Sequence, residues 1–424
     1  MKTRCINYFI NSLNNSFSME RKKKILIAIY NLAAGGAQKS LVSLLNTISP
    51  EKYSIDLFLL NSQGLFLSQV PEYVNLIKGS SNFSLIHHSP AEFKYFFKLG
   101  IWLWMKVVYS RLISKCFFRN LHKEQAHWKT WSQNIENLPK EYDCAIGYVE
   151  GCMNYFVIDK VKAKRKILWI HNVYTALKYN PDFDFDFFSK ADNVVTMSES
   201  GVESLQHTFP QLKQKFIVLE NISNGKLIEK FSLSSIEENE YKNFKGLKLL
   251  SIGRLMDQKN YPLAIQAASE LRKKGIVFLW YVIGEGFDRA KLEALIEKEN
   301  LGKVFKLIGL RENPYQYMRV ADMIVMTSKF EGRSIALDEA KILHKLIVTT
   351  NYTSVADVVE NEKTGLICEM TPQAVADAIT RLHSNPNLVD AIITNLKSKD
   401  WDNTSEVEKY YSVIEGLSLI HISE

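Results

Sequence analysis

The most constraining feature of the sequence is a strict alternation of strand and helix patterns between residues 248 and 367. Apolar runs at 249–253 and 277–283 each precede a segment with apolar side chains at helical spacing. Such alternation is typical of a parallel sheet whose strands are joined by right-handed helical crossovers. Ligands of these sheets bind outside the carboxyl ends of the strands. The residues that directly follow each strand are therefore the candidate functional residues.

The first half of the chain predicts a second sheet of the same kind. The polar segment 223–245 predicts a linker between the two halves. With 424 residues, the chain is long enough for two domains that each bury a core. The predicted strands are 25–30, 53–60, 73–77, 143–148, 166–170, 193–197 and 216–219 in the first half, and 249–253, 277–283, 304–308, 323–326, 346–350 and 365–368 in the second.

Two cations follow the first strand of the second half. Arg254 comes directly after Gly253, and Lys259 precedes a helix that begins near Pro262. Proline is tolerated in a first helical turn because the N–H it lacks would have no partner there. The positive end of a helix also favours anions. These residues predict a phosphate site.

A loop with two carboxylates belongs to the strand at 323–326. Ser334 predicts the N-cap of a helix that carries Glu339 in its second turn, and Glu331 lies in the preceding loop. Each carboxylate can accept hydrogen bonds from two adjacent hydroxyl groups. This placement suits the binding of a ribose and a hexose.

The first half offers two further candidates. Gly35 and Gly36 lie in a small-residue turn between a strand and a helix, where backbone amides can approach a ligand closely. The spacing is not that of the G-x-G-x-x-G dinucleotide fingerprint, so a tight turn without a ligand is an equal alternative. His171 follows the strand at 166–170 and is expected at the cleft, although a purely structural histidine is the alternative.

The motifs of the second half, taken in order, resemble the signature series of glycosyltransferase family 4. The resemblance extends over residues 248–367 and depends on motif order and spacing more than on any one motif. The run 334–341 most resembles family members that build bacterial capsules and exopolysaccharides. The motifs are Gly253-Arg254 with Lys259-Asn260, Gly284-Glu285-Gly286 with Arg289, Ile308-Gly309, and Glu331-Gly332 with Glu339-Ala340.

This resemblance implies a fold and an activity. Family members are retaining, metal-independent enzymes with the GT-B fold, in which two Rossmann-like α/β domains with parallel sheets face one another across a cleft. They transfer sugar from a nucleoside diphosphate-sugar to an acceptor, here expected to be a glycan or a lipid-linked glycan. We expect an acceptor domain at 19–221, a nucleotide-sugar domain at 222–401, and a final helix at about 402–416 that returns to the first domain. No metal and no separate cofactor are expected.

The resemblance also implies roles for individual residues. Arg254 and Lys259 would stabilise the departing diphosphate in place of a metal ion. Glu331 and His171 would lie at the donor sugar, and Glu339 would bind the ribose hydroxyls. The other expected substrate contacts, several of them through backbone amides, are Gly35, Gly36, Asn221, Gly253, Ser334, Ile335 and Ala336.

Charge and cysteine content bound the partners and the compartment. The formal net charge of +7 predicts an anionic partner such as a nucleoside diphosphate, a lipid headgroup or an acidic glycan, and we expect no nucleic acid. Five scattered cysteines without a C-x-x-C spacing favour reduced thiols in a cytoplasmic protein. No apolar run reaches the roughly 18 residues of a spanning helix, so none is predicted.

Both ends of the chain are expected to lie outside the fold. Residues 1–18 are polar and lack periodicity, so we interpret them as an extension and Met19 as a candidate start. Residues 417–424 resemble a translated sequencing adaptor, and we interpret them as a non-native tail.

The segment 93–131 is rich in Lys, Arg and aromatic residues and contains one acid, Glu124. Its mixed pattern predicts helices with a break near Tyr109. A basic, aromatic helix can lie in the interface of an anionic membrane, here the inner face of the cytoplasmic membrane, which suits a lipid-linked acceptor. The alternative is that these helices pack on the first sheet.

A nearby acidic run, 182–186, superficially resembles a metal-binding D-x-D motif, but we interpret it as a helix start.

Two alternative functions remain open. The Gly284-x-Gly286 motif lacks the third glycine of a nicotinamide-binding fingerprint, which argues against a dehydrogenase. A GT-B nucleotide-sugar epimerase and a non-catalytic sugar-nucleotide-binding subunit are the alternatives.

The chain also departs from the family pattern at Arg333, where a bulky apolar residue is common, and this is expected to alter the donor-sugar pocket. The departures at His344 and Lys345-Leu346 are expected to affect packing.

Overall fold

The computed structural model describes residues 21–33, 35–85 and 101–417. This part of the chain forms two sheets, one of seven and one of six strands, and every strand pair in them is parallel. The first sheet contains β1 (Lys23–Ile29), β2 (Tyr53–Leu59), β3 (Asn75–Lys78), β4 (Glu141–Gly147), β5 (Lys162–Trp169), β6 (Asn193–Thr196) and β7 (Phe216–Val218). The second contains β8 (Leu247–Ile252), β9 (Phe278–Ile283), β10 (Phe305–Gly309), β11 (Met323–Met326), β12 (Leu346–Thr350) and β13 (Leu366–Cys368).

Helices join most of the strands, as the alternating pattern predicts, but only single 3-10 turns, Leu67–Gln69 and Val355–Asp357, lie between β2 and β3 and between β12 and β13. The first domain contains α1 (Gly36–Thr47), α2 (Ser81–Ser84), α3 (Ile101–Phe117), α4 (Lys123–Trp131), α5 (Cys152–Lys160), α6 (Pro181–Phe188) and α7 (Glu199–Thr208). The remaining helices are α8 (Gly225–Ser232), α9 (Asn239–Asn243), α10 (Tyr261–Lys273), α11 (Arg289–Lys298), α12 (Tyr315–Val320), α13 (Ile335–Ile342), α14 (Pro372–Ser384), α15 (Pro386–Lys397) and α16 (Val407–Glu415).

The strand order fixes where ligands can bind. It is β3-β2-β1-β4-β5-β6-β7 in the first sheet and β10-β9-β8-β11-β12-β13 in the second. In both sheets the direction of the chain order reverses between the first strand and the fourth. The loops after these two strands diverge and leave a crevice, which is the usual ligand site of a doubly wound sheet. The predicted α/β fold of two parallel-sheet domains is confirmed.

The strands were predictable because both faces of each sheet are covered. Leu249 and Leu250 of β8 point to opposite faces, yet both are fully buried. A strand buried on both faces reads as a continuous apolar run. All thirteen predicted strands are present in the described residues, although β5 begins at Lys162 and not at residue 166.

The last helix, α16, packs on the first domain. Tyr410, Tyr411 and Ile414 belong to the hydrophobic core that surrounds the seven-stranded sheet. The Tyr410 ring stacks on Trp169 at 5.9 Å, and its hydroxyl donates to the carbonyl oxygen of Glu220 over 2.8 Å. Helix α16 thus belongs to the core of the first domain, although it follows the second domain in the sequence.

Two local predictions are wrong. The segment 223–245 is not a plain linker, because it contains α8 and α9, and Tyr241 of α9 is buried and stacks on Tyr281 at 4.3 Å. A few buried apolar residues are sufficient to dock a polar segment. Helix α3 also continues through Tyr109 without a break. Arg111, which the pattern places on the apolar stripe, is accommodated because it donates to the carbonyl oxygen of Leu85 over 3.0 Å.

The acidic run at 182–186 begins α6, as predicted. Asn180 caps the helix, since its side chain accepts a hydrogen bond from the backbone N–H of Phe183 over 3.2 Å. Asp184 is buried and accepts hydrogen bonds from the hydroxyls of Tyr155 and Tyr174, each over 2.6 Å. This aspartate therefore stabilises the packing of α6 on the domain.

The described residues show no membrane-spanning helix, no metal-ligand cluster and no disulfide. Within 21–33, 35–85 and 101–417, no helix is long and apolar enough to cross a membrane. No group of three potential metal-ligating side chains is present in these ranges. The four cysteines that they contain, Cys116, Cys144, Cys152 and Cys368, are free.

Truncating Ile414 should test the contribution of α16 to the first domain. Ile414→Ala removes a buried side chain from the core, so we expect the free energy of unfolding to fall by about 3 kcal/mol. Leu417→Ala is the matched control because Leu417 is 61 % exposed just beyond the helix. Urea unfolding monitored by tryptophan fluorescence would measure both. Equal, small effects would show that α16 is not part of this core.

Candidate active site

A cavity of about 500 Å³ lies between the two domains, at the crevices that the strand order creates. Both domains line it with the residues that follow their strands, as expected for parallel sheets. All twelve residues predicted for the site line this cavity: Gly35, Gly36, His171, Asn221, Gly253, Arg254, Lys259, Glu331, Ser334, Ile335, Ala336 and Glu339. The structure thus brings the predicted residues together, whereas their individual roles stay predictions.

The loop 331–334 joins the domains at the centre of the cavity. A side-chain carbon at Gly332 would lie 1.9 Å from the backbone oxygen of His171, so only glycine allows the two backbones to approach this closely. Gln258, from the loop after β8, donates to the side-chain oxygen of Asn172 over 3.2 Å. The loop 331–334 of the second domain and His171 of the first domain therefore form one wall.

The two predicted cations differ in their surroundings. The Lys259 ammonium lies 2.6 Å from Oε1 of Glu331, and the Ser328 hydroxyl donates to the same oxygen over 2.6 Å. Arg254 is exposed to the cavity, and none of the described residues pairs with its guanidinium. Arg254 is therefore directly available to an anion, whereas Lys259 must exchange or share its carboxylate.

Glu339 has partners in both domains. Its Oε1 lies 2.5 Å from the ammonium of Lys39 in α1 and accepts a hydrogen bond from the Tyr315 hydroxyl over 2.9 Å. The Lys39 ammonium also lies 4.2 Å from the centre of the Tyr315 ring, close enough for a cation–π interaction. Sequence reasoning missed both residues. Lys39 had a detectable signal, because it lies one helical turn after the Gly35-Gly36 turn.

His171 is held by the first domain as a neutral ring. Its Nε2–H donates to the carbonyl oxygen of Tyr148 over 2.7 Å, and its backbone N–H donates to the Glu150 carboxylate over 3.0 Å. Burial lowers the pKa of the imidazole below its usual value. Since Nε2 carries the proton, Nδ1 is the ring nitrogen that can accept a hydrogen bond from a ligand.

Two further residues predicted to contact the substrate, Asn221 and Ser334, have defined surroundings in the structure. Asn221 is buried, and its side-chain oxygen accepts a hydrogen bond from the Ser40 hydroxyl over 2.6 Å, which ties α1 to the end of the first domain. Ser334 occupies the N-cap position of α13, as predicted, but its side chain makes no capping hydrogen bond. The backbone amides of Ile335 and Ala336 begin this helix and have no intrahelical acceptor. They can therefore bind an anion.

Arg333 connects the domains instead of shaping only the sugar pocket. Its guanidinium donates to Glu220 of the first domain over 2.8 Å, and to both carboxylate oxygens of Asp338 over 2.9 and 3.2 Å. Burial would raise the pKa of Asp338, but the neighbouring cations Lys341 and Arg333 hold that pKa below its usual value. A bulky apolar residue could not make this contact.

Several residues of the first-domain wall were not predicted. They share a polar or aromatic side chain that faces the predicted residues across the cavity. No pattern at the level of the sequence distinguishes them, because they come from separate loops and from the start of α4. They are Tyr30, His122, Glu124, Glu150 and Tyr179.

Comparison with known proteins identifies the second domain. Residues 234–399 match the family model described as glycosyl transferases group 1. This part of the chain is a glycosyltransferase group 1 domain. The chain is also similar to the N-acetylgalactosamine-N,N'-diacetylbacillosaminyl-diphospho-undecaprenol 4-alpha-N-acetylgalactosaminyltransferase of Campylobacter jejuni, with 26% identity over 82% of this chain and 86% of that protein.

Further relatives share less of their length or their sequence. The poly(ribitol-phosphate) alpha-N-acetylglucosaminyltransferase of Staphylococcus aureus is 27% identical over 42% of this chain, but the match spans only 36% of that protein. Among solved structures, Anabaena HepE in complex with UDP-glucose superposes with a TM-score of 0.67 at 13% identity, over 93% of this chain and 100% of that one. Together with the two parallel sheets, this likeness shows that the group 1 domain is the second half of a GT-B fold.

Replacing Arg333 should test the connection between the group 1 domain and the first domain. Arg333→Leu leaves the buried Asp338 and the nearby Glu220 without their shared cation. We expect the free energy of unfolding to fall by about 3 kcal/mol, as for other broken buried pairs. Arg381→Leu is the control, because its pair with Glu362 lies on the surface, and its midpoint in urea should not move. Equal midpoints for the two variants would contradict this account.

Proposed function

We propose that the chain transfers a sugar from a nucleoside diphosphate-sugar to a glycan or lipid-linked acceptor, with retention of the anomeric configuration, in the synthesis of a cell-surface polysaccharide. One observation carries the proposal. The crevices of both sheets open into one cavity, in which cations from both domains, Arg254, Lys259 and Lys39, lie together with carboxylates. Several relatives that match across this domain are glycosyltransferases of glycan synthesis, which favours transfer over epimerisation or binding alone.

The proposed chemistry depends on the charge of the leaving group. As the bond between the anomeric carbon and the diphosphate breaks, negative charge accumulates on the departing phosphate oxygen. Positioned cations stabilise this charge more strongly in the transition state than in the ground state. Arg254 and Lys259 take this role without a metal ion. The acceptor oxygen bonds to the anomeric carbon on the face that the diphosphate leaves, and its proton passes to the departing phosphate.

The remaining contacts orient the donor. In this proposal the ribose hydroxyls donate to Glu339, and the donor-sugar hydroxyls interact with Glu331 and with Nδ1 of His171. Both carboxylates are engaged by lysines, at 2.5 Å from Lys39 and at 2.6 Å from Lys259. Donor binding therefore exchanges these ion pairs for hydrogen bonds and leaves the lysines facing the diphosphate. The backbone amides at Gly35, Gly36, Ser334, Ile335 and Ala336 complete its surroundings.

The acceptor side of the proposal includes a membrane contact. Helix α3 exposes Trp102, Met105, Tyr109, Leu112 and Phe117, which recur at helical spacing on one face. Lys106, Lys115 and Arg119 are exposed beside this face, which suits the interface of an anionic bilayer.

Helix α4, which belongs to the same predicted membrane segment, does not expose its tryptophans. Trp128 and Trp131 of α4 are buried in the core, where their ring N–H groups donate to Asp159 and to the backbone of Asn82. For these two residues the prediction of membrane contact is wrong. Residues 93–100 lie outside the described residues.

Removing either cation should slow transfer. We expect Arg254→Ala and Lys259→Ala each to lower kcat at least about 100-fold, roughly 3 kcal/mol of barrier, as does the loss of an oxyanion donor. Lys273→Ala, on the exposed face of α10, is the matched control and should keep normal turnover. The assay incubates the chain with labelled UDP-, GDP- and TDP-sugars and a bacterial membrane extract, and measures labelled product and released nucleoside diphosphate.

The same assay separates the functions. Transfer requires nucleoside diphosphate release that depends on the extract. An epimerase would convert the nucleotide-sugar without extract, and a binding subunit would release nothing. Near-normal turnover in both alanine variants would refute the roles of Arg254 and Lys259.

Vesicle binding should test the exposed face of α3. We expect wild-type chain to sediment with phosphatidylglycerol vesicles, and less at high salt. Trp102→Ser combined with Phe117→Ser should weaken this binding at least about tenfold, because each side chain loses a share of its burial energy. Leu233→Ser combined with Val277→Ser removes two equally exposed apolar side chains elsewhere and should have no effect. Equal losses in both double variants would contradict a specific membrane face.

A further inference from the structure

Glu124 is the one acid in the basic segment 93–131, and it lines the first-domain wall of the cavity. It is the second residue of α4. The start of this helix is fixed by a capping box: the His122 ring accepts from the N–H of Glu124, and the Gln125 side chain accepts from the N–H of His122. Its backbone is therefore held rigidly at the cavity.

One oxygen of the carboxylate is engaged by the protein, and the other is not. Oε2 accepts hydrogen bonds from the hydroxyls of Tyr30 and Tyr179, over 2.8 and 3.4 Å, and from the backbone N–H of Cys152 over 3.3 Å. None of the described residues hydrogen-bonds Oε1. A carboxylate that is oriented by three donors and keeps one oxygen unpaired in a cavity is arranged to receive a donor from a ligand.

The backbone beside Glu124 supports the same arrangement. Gly151 has a positive φ of 81°, and a side-chain carbon there would lie 1.9 Å from Oε2 of Glu124. Only glycine both adopts this conformation and leaves room for the carboxylate. The preceding residue, Glu150, accepts the backbone N–H of His171 over 3.0 Å and the side-chain amide of Asn172 over 2.6 Å. The Glu124 wall is therefore continuous with the predicted donor-sugar residue His171.

The part of the first-domain wall that surrounds Glu124 carries two carboxylates, and Lys39 of the first domain pairs instead with Glu339. The first-domain wall around Glu124 and Glu150 also presents aromatic and apolar side chains, among them Phe66, Leu177 and Tyr179. The cations Arg254, Lys259 and Arg311 lie on the side of the group 1 domain. Sugar rings pack on such aromatic side chains, whereas a carboxylate or phosphate on the ligand would be repelled by two carboxylates in a partly desolvated wall.

We propose that Glu124 is a specificity-determining residue of the acceptor subsite: its Oε1 accepts a hydrogen bond from a hydroxyl of the acceptor sugar, and the surrounding wall selects an uncharged sugar over one that carries a carboxylate or phosphate. This inference rests on the proposed function, because it assigns the acceptor to the first-domain wall. Tyr30 and Tyr179 are positioning residues that orient the carboxylate.

Binding of simple glycosides to the full chain tests the proposal without requiring the natural acceptor. The probes are methyl β-glucoside, methyl β-galactoside and methyl α-N-acetylgalactosaminide, with methyl β-glucuronide as the charged counterpart of the first. Saturation-transfer difference NMR, by titration, gives each dissociation constant. For wild-type chain we expect at least one neutral glycoside to bind at least tenfold more tightly than the glucuronide.

The variants identify the residue responsible. Glu124→Gln should weaken the preferred neutral glycoside at least tenfold, because a geometrically similar amide presents a weaker acceptor to the ligand. Tyr179→Phe, which removes one orienting donor, should weaken it less. Glu136→Gln, an exposed neighbour just beyond α4, should not change it. The affinity for UDP, GDP and TDP should stay within twofold in all three variants, which a general disruption of the fold would not allow.

Several results would overturn the proposal. These are tighter binding of the glucuronide, absence of any neutral binder, or unchanged glycoside affinity in Glu124→Gln. Loss of nucleotide affinity in Glu124→Gln together with glycoside affinity would mean that the residue is only structural. The proposed function fails separately, if wild-type chain turns over no nucleotide-sugar although its glycoside binding depends on Glu124.

Discussion

The contact between the loop 331–334 and the first domain is the constraint on which the site depends. Gly332 lies against the backbone of His171, Arg333 joins Glu220 to Asp338, and Glu331 pairs with Lys259 at 2.6 Å. Gly332 and Arg333 thus connect the two domains, and the neighbouring Glu331 pairs with Lys259. Any rotation of one domain against the other must break at least one of these contacts. The shape of the cavity is consequently tied to the orientation of the domains.

Charges of both signs line the cavity from both domains. Arg254 is unpaired among the described residues, whereas Lys259 and Lys39 are each held by a glutamate that the proposal assigns to donor hydroxyls. A partly buried cation without a partner would be costly, so these ion pairs stabilise both lysines in the absence of a ligand. The first domain also contributes carboxylates to the cavity, at Glu124 and Glu150. In the proposed reaction the diphosphate faces the cations, and the acceptor sugar faces the wall that contains Glu124.

The sequence was sufficient for the architecture because local patterns determine it. β9 is buried at every position, and its unbroken apolar run could be read directly. The twelve site residues could be placed because a parallel sheet brings its strand ends to one edge, and the resemblance to a family supplied their expected roles. Contacts between residues that are far apart in the sequence could not be predicted. Three such contacts depend on how the domains and helices pack. They are the ion pair of Lys39 with Glu339, the ion pair of Arg333 with Glu220, and the hydrogen bonds that orient Glu124. The same reason explains α8 and α9, in which few apolar residues decide the docking.

We propose that Arg254 and Lys259 together bind the diphosphate of the donor. A crystal structure of the chain with a bound nucleoside diphosphate would test this. We expect phosphate oxygens within hydrogen-bond distance, about 3 Å, of both side chains, and Lys259 displaced from Glu331 toward them. A diphosphate bound elsewhere in the cavity, with the Lys259–Glu331 pair intact and Arg254 facing solvent, would contradict it.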